Sequence, residues 1–229
     1  MLVDINNDGR LDVVASYYKG PRVWLGDGKG HFTGASQGLP SPQIGGLYRG
    51  LDIGDVNEDG LLDIVGANDV NGPELYLQQP DGSWKEMGDL MPSMQNGAVG
   101  VALGDFNKDG HLDIMVAGRK VKELGNNYGL YLLQGDGKGG FKELEATNLP
   151  AQGLSVTWGV AVGDVNEDGL LDFVAATGGA VAGGGGAQLP PAKSSAGKSA
   201  KSKAEKPAPQ AIPELDLPRM QAWVNEGVK

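Results

Sequence analysis

The chain of 229 residues has no cysteine, so it can build neither a disulfide framework nor a thiolate metal site nor a redox centre. It has no uninterrupted apolar run of about 18 residues, so nothing in it reads as a helix spanning a membrane. Histidine is nearly absent (His31 and His111), and aromatic residues make up 6% of the chain. Positive charge is in the minority: 19 Lys and Arg against 29 Asp and Glu give a formal charge of −10, which argues against nucleic-acid binding. No secretory signal is visible, which says little for a chain that reads as starting inside a strand. Against these shortages stand 39 glycines, a composition suited to short strands and frequent turns rather than to helices.

What the chain has in excess is one acidic pattern. Asp-x-Asn-x-Asp-Gly-x-x-Asp occurs four times, at Asp4–Asp12, Asp55–Asp63, Asp105–Asp113 and Asp164–Asp172. Oxygen-bearing side chains recur at positions 1, 3, 5 and 9, and glycine stands at position 6, where a left-handed turn would resist a Cβ. A short loop of this kind wraps a hard cation. Without one, each loop crowds three carboxylates together, and their pKa values are expected to rise. Twelve of the 29 acidic residues are these aspartates, and four calcium ions would bring the net charge to about −2. The acidity is therefore read as up to four structural Ca2+ sites rather than as a preference for basic partners.

An EF-hand loop begins in the same way but needs a bidentate Glu at position 12 between two helices. Position 12 here is Ala15, Gly66, Val116 and Ala175, none of which can ligate through a side chain. The loops are followed by short aliphatic runs such as Leu62-Asp63-Ile64-Val65 and Leu112-Asp113-Ile114-Met115-Val116, which read as buried strands. Three loops are preceded by matching segments, Gly50–Gly54, Gly100–Gly104 and Gly159–Gly163. The motif thus joins two strands.

From Asp4, Asp55, Asp105 and Asp164 the repeat intervals are 51, 50 and 59 residues, a period that fits a β-propeller blade. A third strand, a Gly-rich turn and a fourth strand complete each unit. They are Arg22–Leu25, Gly26–Gly30 and His31-Phe32 in the first; Glu74–Leu77, Pro80–Gly82 and Ser83–Lys85 in the second; and Gly129–Leu133, Gly135–Gly140 and Phe141-Lys142 in the third. The Gly-Asp-Gly-Lys-Gly turns lack the spacing of a phosphate-binding loop and no helix follows them, so they read as hairpins. Trp24, Tyr76, Tyr131 and Trp223 fall at equivalent third-strand sites and are expected to pack between blades. His31 and His111 are expected at the surface.

The Gly-aliphatic-x-aliphatic-Gly-Asp lead-in, the nine-residue loop and the Leu-Tyr-Leu hairpin together resemble the FG-GAP/VCBS repeat family, the blade type of integrin α-subunit propellers and of many secreted bacterial proteins. The resemblance spans roughly residues 1–177 and returns at the end of the chain. It implies an all-β, calcium-bearing propeller of about four four-stranded blades, as part of a larger one. The ligands it implies are Asp4, Asn6, Asp8, Arg10 and Asp12; Asp55, Asn57, Asp59, Leu61 and Asp63; Asp105, Asn107, Asp109, His111 and Asp113; and Asp164, Asn166, Asp168, Leu170 and Asp172. Arg10, Leu61, His111 and Leu170, at position 7, would contribute main-chain carbonyls.

The blades are expected at 1–49, 50–99, 100–157 and 158–229, with the first strand of the first incomplete. In the fourth, Pro218–Gly227 aligns with Pro21–Gly28. The Gly-, Ala-, Lys- and Pro-rich tract 178–217 between them is then an insertion between second and third strands, and its lysines read as a solvated loop. A beginning inside a strand and an end inside a turn suggest further blades or domains.

Alternating turns put the calcium loops and hairpins on one face. The opposite face collects Ser16–Gly20, Asn68–Gly72, Gly118–Tyr128, Tyr48-Arg49, Met94–Asn96 and Trp158, loops rich in aromatic, Arg and amide side chains. The expectation is a non-enzymatic binding or adhesion module for a protein or glycan, placed outside the cell or in the periplasm, where calcium is plentiful. The alternatives are the propeller of a polysaccharide-active enzyme, for which Arg49, Asp69, Arg119 and Lys120 would have to converge, and a purely architectural spacer.

Overall fold

The computed structural model describes residues 1–40, 47–90, 96–119, 128–144, 149, 157–177 and 219–223. Among these residues every regular element is a strand. The first sheet consists of β1 (Leu2–Val3), β2 (Asp12–Tyr17), β3 (Gly20–Gly26) and β4 (Phe32–Gly34). The second holds β5 (Tyr48–Gly54), β6 (Asp63–Asn68), β7 (Gly72–Gln78) and β8 (Trp84–Asp89), and the third β9 (Asn96–Gly104), β10 (Asp113–Arg119), β11 (Gly129–Gly135) and β12 (Phe141–Glu143). The fourth has β13 (Thr157–Gly163), β14 (Asp172–Thr177) and β15 (Arg219–Trp223). Each sheet is an antiparallel meander in chain order, the form of a propeller blade.

The central strands of the second and third blades, β6, β7, β10 and β11, read as nearly continuous apolar runs because they are covered on both faces. Along β10, Ile114 and Val116 enter the core shared with the second blade, whereas Met115 and Ala117 enter the core shared with the fourth. On β11, Tyr131 and Leu133 face one neighbour and Leu130 and Leu132 the other. Between the first two blades, Ile5, Val14 and Val23 meet Ile64, Tyr76 and Trp84. A period of two with apolar residues in both phases is what a blade between two blades requires. Tyr76 and Tyr131 are buried in these cores, the inter-blade packing expected of them.

The first strands of the second, third and fourth blades lie side by side, β9 against both β5 and β13. There the backbones approach closely: a Cβ on Gly100 would lie 3.1 Å from Gly159 Cα and 3.1 Å from Val160 N. The inner strands start at Tyr48, Asn96 and Thr157, slightly upstream of the repeat boundaries at 50, 100 and 158. The difference has a structural cause. Each begins with a register irregularity: Tyr48 pairs with Asn68 and Gly50 with Ala67, so Arg49 is the extra residue of a bulge, and Trp158 is the extra residue between Thr157 and Gly159.

In the fourth blade β15 pairs with β14, Phe173 opposite Trp223, as Val13 stands opposite Trp24 in the first. The third-strand alignment drawn from sequence therefore holds in register. The insertion 178–217, and Lys120, Met94 and Gln95, lie outside the described residues.

Candidate metal centres and the opposed loop face

All four nine-residue loops adopt one conformation. The position-1 carboxylate accepts from the backbone N–H groups of positions 5 and 6: Asp4 from Asp8 and Gly9 at 2.9 and 2.7 Å, and Asp105 from Asp109 and Gly110 at 3.1 and 3.0 Å. Asp55 and Asp164 do the same in their loops. The Asn at position 3 accepts from the position-5 N–H, and its amide donates to the position-5 carboxylate at 2.8–3.0 Å. That carboxylate accepts in turn from the N–H of Arg10, Leu61, His111 or Leu170.

Glycine at position 6 has φ between 81° and 92° in every copy, as its place in the motif predicts. Position 4 is left-handed too, and there the residues are Asn7, Glu58, Lys108 and Glu167, with φ of 57–60°. Asparagine tolerates this region; glutamate and lysine do not favour it. Residue type alone could not have shown the second left-handed turn, which the hydrogen bonds around it enforce.

Position 9 is separate from the rest. Asp12, Asp63, Asp113 and Asp172 are fully buried (0% exposed), while the position-5 aspartates are exposed. One oxygen accepts from the N–H of position 2 (Ile5, Val56, Phe106 or Val165) at 3.0 Å. In the first three blades the other oxygen accepts from Gly26, Gln78 or Gly135 at the end of the third strand, at 2.7–3.0 Å. In these three blades the aspartate therefore fastens the loop to the end of the third strand, next to the strand it opens, a role not evident from the motif.

The electrostatics divide in the same way. Burial pushes the Asp63 carboxyl up to about 7 and raises that of Asp113. At position 5 the direction is reversed: the Asn6 amide holds Asp8 below the ordinary carboxylate range, and the His111 N–H does so for Asp109. Crowding was expected to raise all three carboxylates of a loop, but at these exposed position-5 sites hydrogen bonding outweighs it. Neighbouring loops are also joined. The His111 ring meets the Glu58 carboxylate of the preceding blade at 2.5 Å, which raises the His111 pKa. Both histidines lie at the surface, as expected, but each is partnered: His111 by Glu58, and His31 by Asp27 at 2.8 Å.

As a donor set these loops fit calcium. Their side-chain donors are hard oxygens, curled by two left-handed residues, with exposed carboxylates at position 5. Among the described residues no three carboxylate or imidazole groups converge on one point.

The opposite face is assembled from three blades. Arg49 directs Nε and Nη2 at Asp69 Oδ2, at 2.9 and 2.8 Å. Arg119 reaches the other oxygen of Asp69 at 3.5 Å, and its guanidinium lies 5.1 Å from the centre of the Tyr128 ring. The Arg49 guanidinium stands 5.7 Å from the centre of the Trp158 indole, which is 56% exposed. Three of the four residues that an active face would have to bring together, Arg49, Asp69 and Arg119, are thus adjacent. Beside them Glu74, buried on β7, accepts from Asn68, Asn71, Tyr76 and Tyr48. In the sequence Glu74 reads only as part of a strand, and the one signal for it is an acid at the head of Glu74-Leu75-Tyr76-Leu77.

Comparison with known proteins agrees with this architecture. No curated protein matches the chain. The family model described as FG-GAP-like repeat matches three times, over residues 4–66, 55–116 and 124–175, the first two matches each running from one acidic loop through the next and the third containing the fourth loop. With those matches covering most of the chain and the blades in place around the loops, this protein belongs to the FG-GAP-like repeat family.

Proposed function

We propose that the chain is a calcium-stabilised propeller module that binds a protein or carbohydrate through the face opposite its acidic loops, in a calcium-rich setting outside the cell or in the periplasm. The supporting observation is the division of labour between the faces. One face repeats a single oxygen-lined loop four times, as a scaffold element would. The other gathers non-repeating residues from separate blades, Arg49 and Asp69 from the second, Arg119 from the third and Trp158 from the fourth.

Calcium would be held by Asp4, Asn6, Asp8 and Asp12 and their counterparts, with the carbonyls of Arg10, Leu61, His111 and Leu170. It would neutralise the aspartates and tie the first strand pair of each blade. At about 100 times its dissociation constant, each ion adds about 2.7 kcal/mol of stability. Sites of extracellular type bind in roughly the 0.1–1 mM range, which favours such a setting. The loop face is suited to binding more than to catalysis, because both oxygens of Asp69 are engaged by guanidinium groups. That leaves it poorly placed to pass a proton to a substrate.

The test is thermal unfolding followed by circular dichroism, with calcium from zero to several millimolar and with chelator. A calcium-dependent rise in Tm that shrinks as Asp59, Asp109 and Asp168 are changed to Ala supports the reading. A folded chain indifferent to calcium overturns its metal component.

A further inference from the structure

We propose that Arg49, Asp69, Arg119 and Trp158 form a site for an acidic saccharide, in which the paired guanidinium groups take a uronate-type carboxylate and the indole takes the face of the sugar ring. This rests on the loop face being the binding face, and adds to that reading the chemistry of the ligand.

The first observation is backbone geometry. Arg49 and Trp158 are the extra residues of bulges at the same point of the second and fourth blades, just before Gly50 and Gly159. A bulge turns one side chain out of the alternation of its strand, and bulges recur beside binding and active sites. Here it frees both side chains from inter-blade packing. Both residues are exposed, whereas Tyr48, one residue before Arg49, is buried.

The second observation is charge. Two guanidinium groups share the Asp69 carboxylate, while the neighbouring Glu74 carboxylate is buried and taken up by Asn68, Asn71, Tyr48 and Tyr76. Arg119 Nε is buried and has no hydrogen-bond partner. A buried donor without a partner is uncommon and calls for an acceptor. The Asp69 ion pair and the contacts with Tyr128 and Trp158 fix the two guanidinium groups in place before any ligand arrives, which reduces the ordering cost of binding. Planar guanidinium groups suit a carboxylate better than a compact cation would.

The third observation chooses the ligand class. An indole left 56% exposed beside a cationic pair offers an apolar platform next to an anion-binding group. A uronate carries its carboxylate on the edge of a ring whose flat C–H face can lie on indole, so one residue of a glycan meets both features. An aspartate or glutamate side chain would answer the charge and leave the indole bare.

Isothermal titration of the calcium-loaded full chain with a hyaluronan hexasaccharide, its carboxyl-reduced counterpart and an Asp-rich peptide of equal charge tests this. The expected result is saturable binding of the acidic hexasaccharide and none of the reduced one. Arg49→Gln and Trp158→Ala should each weaken binding by about ten-fold or more. Arg49→Lys, which keeps the charge and loses the planar guanidinium group, should fall between Arg49→Gln and the parent, with circular dichroism unchanged throughout. Failure of the hexasaccharide to bind overturns the proposal, and so does an equal affinity for the peptide that Trp158→Ala leaves untouched. If the hexasaccharide fails but a panel of neutral glycans or proteins is retained in a Trp158-dependent way, the acidic-saccharide assignment falls and the binding-module reading stands. If the folded, calcium-loaded chain retains nothing from either, both fall.

Discussion

Replacing Gly100 by Ala tests the packing of the inner strands where two backbones approach closely. An ideal Cβ there lies 3.1 Å from Gly159 Cα, 3.1 Å from Val160 N and 3.3 Å from Gly159 C. All three are backbone atoms of β13, so no side chain can rotate away; the two inner strands must separate. Overpacking of this kind typically destabilises by about 1–3 kcal/mol. The same substitution restricts the unfolded chain and returns about 0.4–1 kcal/mol, so a net loss near 1–2 kcal/mol is expected. Gly159 supplies the control. It occupies the same place in the next blade, and a Cβ on it meets nothing within 4 Å. Neither glycine has a positive φ, so alanine strains neither backbone. Gly159→Ala should therefore be neutral or stabilising by up to about 1 kcal/mol. Urea unfolding of the two variants and the parent in saturating calcium, analysed with a common m-value, measures the difference. If Gly100→Ala is as harmless as Gly159→Ala, the inner strands do not pack as described. If instead Gly159→Ala is as harmful as Gly100→Ala, the space beside β13 at Gly159 is not open.

The position-9 aspartates should behave unlike the others: Asp113→Ala strands the buried N–H groups of Phe106 and Gly135 and should destabilise by about 2–5 kcal/mol even with chelator present. Asp109→Ala, at an exposed position, should reveal its effect only when calcium is added to the melt. Asp63 has a carboxyl raised on folding from 3.8 to about 7, so its contribution to stability is fully present below about pH 4 and is lost as pH rises toward about 7. In chelator, Tm should fall across that window and Asp63→Asn should flatten the slope; in saturating calcium, which needs the ionised loop, the fall should disappear or reverse. The His111 pKa, held up chiefly by Glu58, should drop on Glu58→Gln in an NMR titration of the ring protons, and no change would remove the bridge between adjacent loops.

Much of the fold was legible because the local signals agree with one another. The acidic loop marks the turn between the first and second strands, the glycine-rich hairpin marks the turn between the third and fourth, and the aliphatic runs between them are strands, buried on both faces in the two middle blades. Even the third strand of the fourth blade could be placed across the 178–217 tract, because Pro218–Trp223 repeats the pattern of Pro21–Trp24 and pairs in the equivalent register. What escaped were features that depend on where the backbone goes rather than on which residue is present. Glu58 and Lys108 give no hint of left-handed φ, because the loop imposes it. The position-9 aspartates look like equals of their neighbours, although a buried carboxylate gripping two N–H groups serves the sheet as much as any ion. The charge cluster of the loop face was hardest of all. Arg49, Asp69 and Arg119 are separated by 20 and 50 residues in sequence, and nothing local ties them together. The period of the repeat does, since 69 and 119 are one blade apart and the bulge before Gly50 turns Arg49 toward Asp69. In a propeller, residues that sit at the same phase of successive repeats become neighbours around the axis. A departure from the repeat at such a phase, here an arginine in one blade and a tryptophan in another, is therefore where a binding face is to be sought.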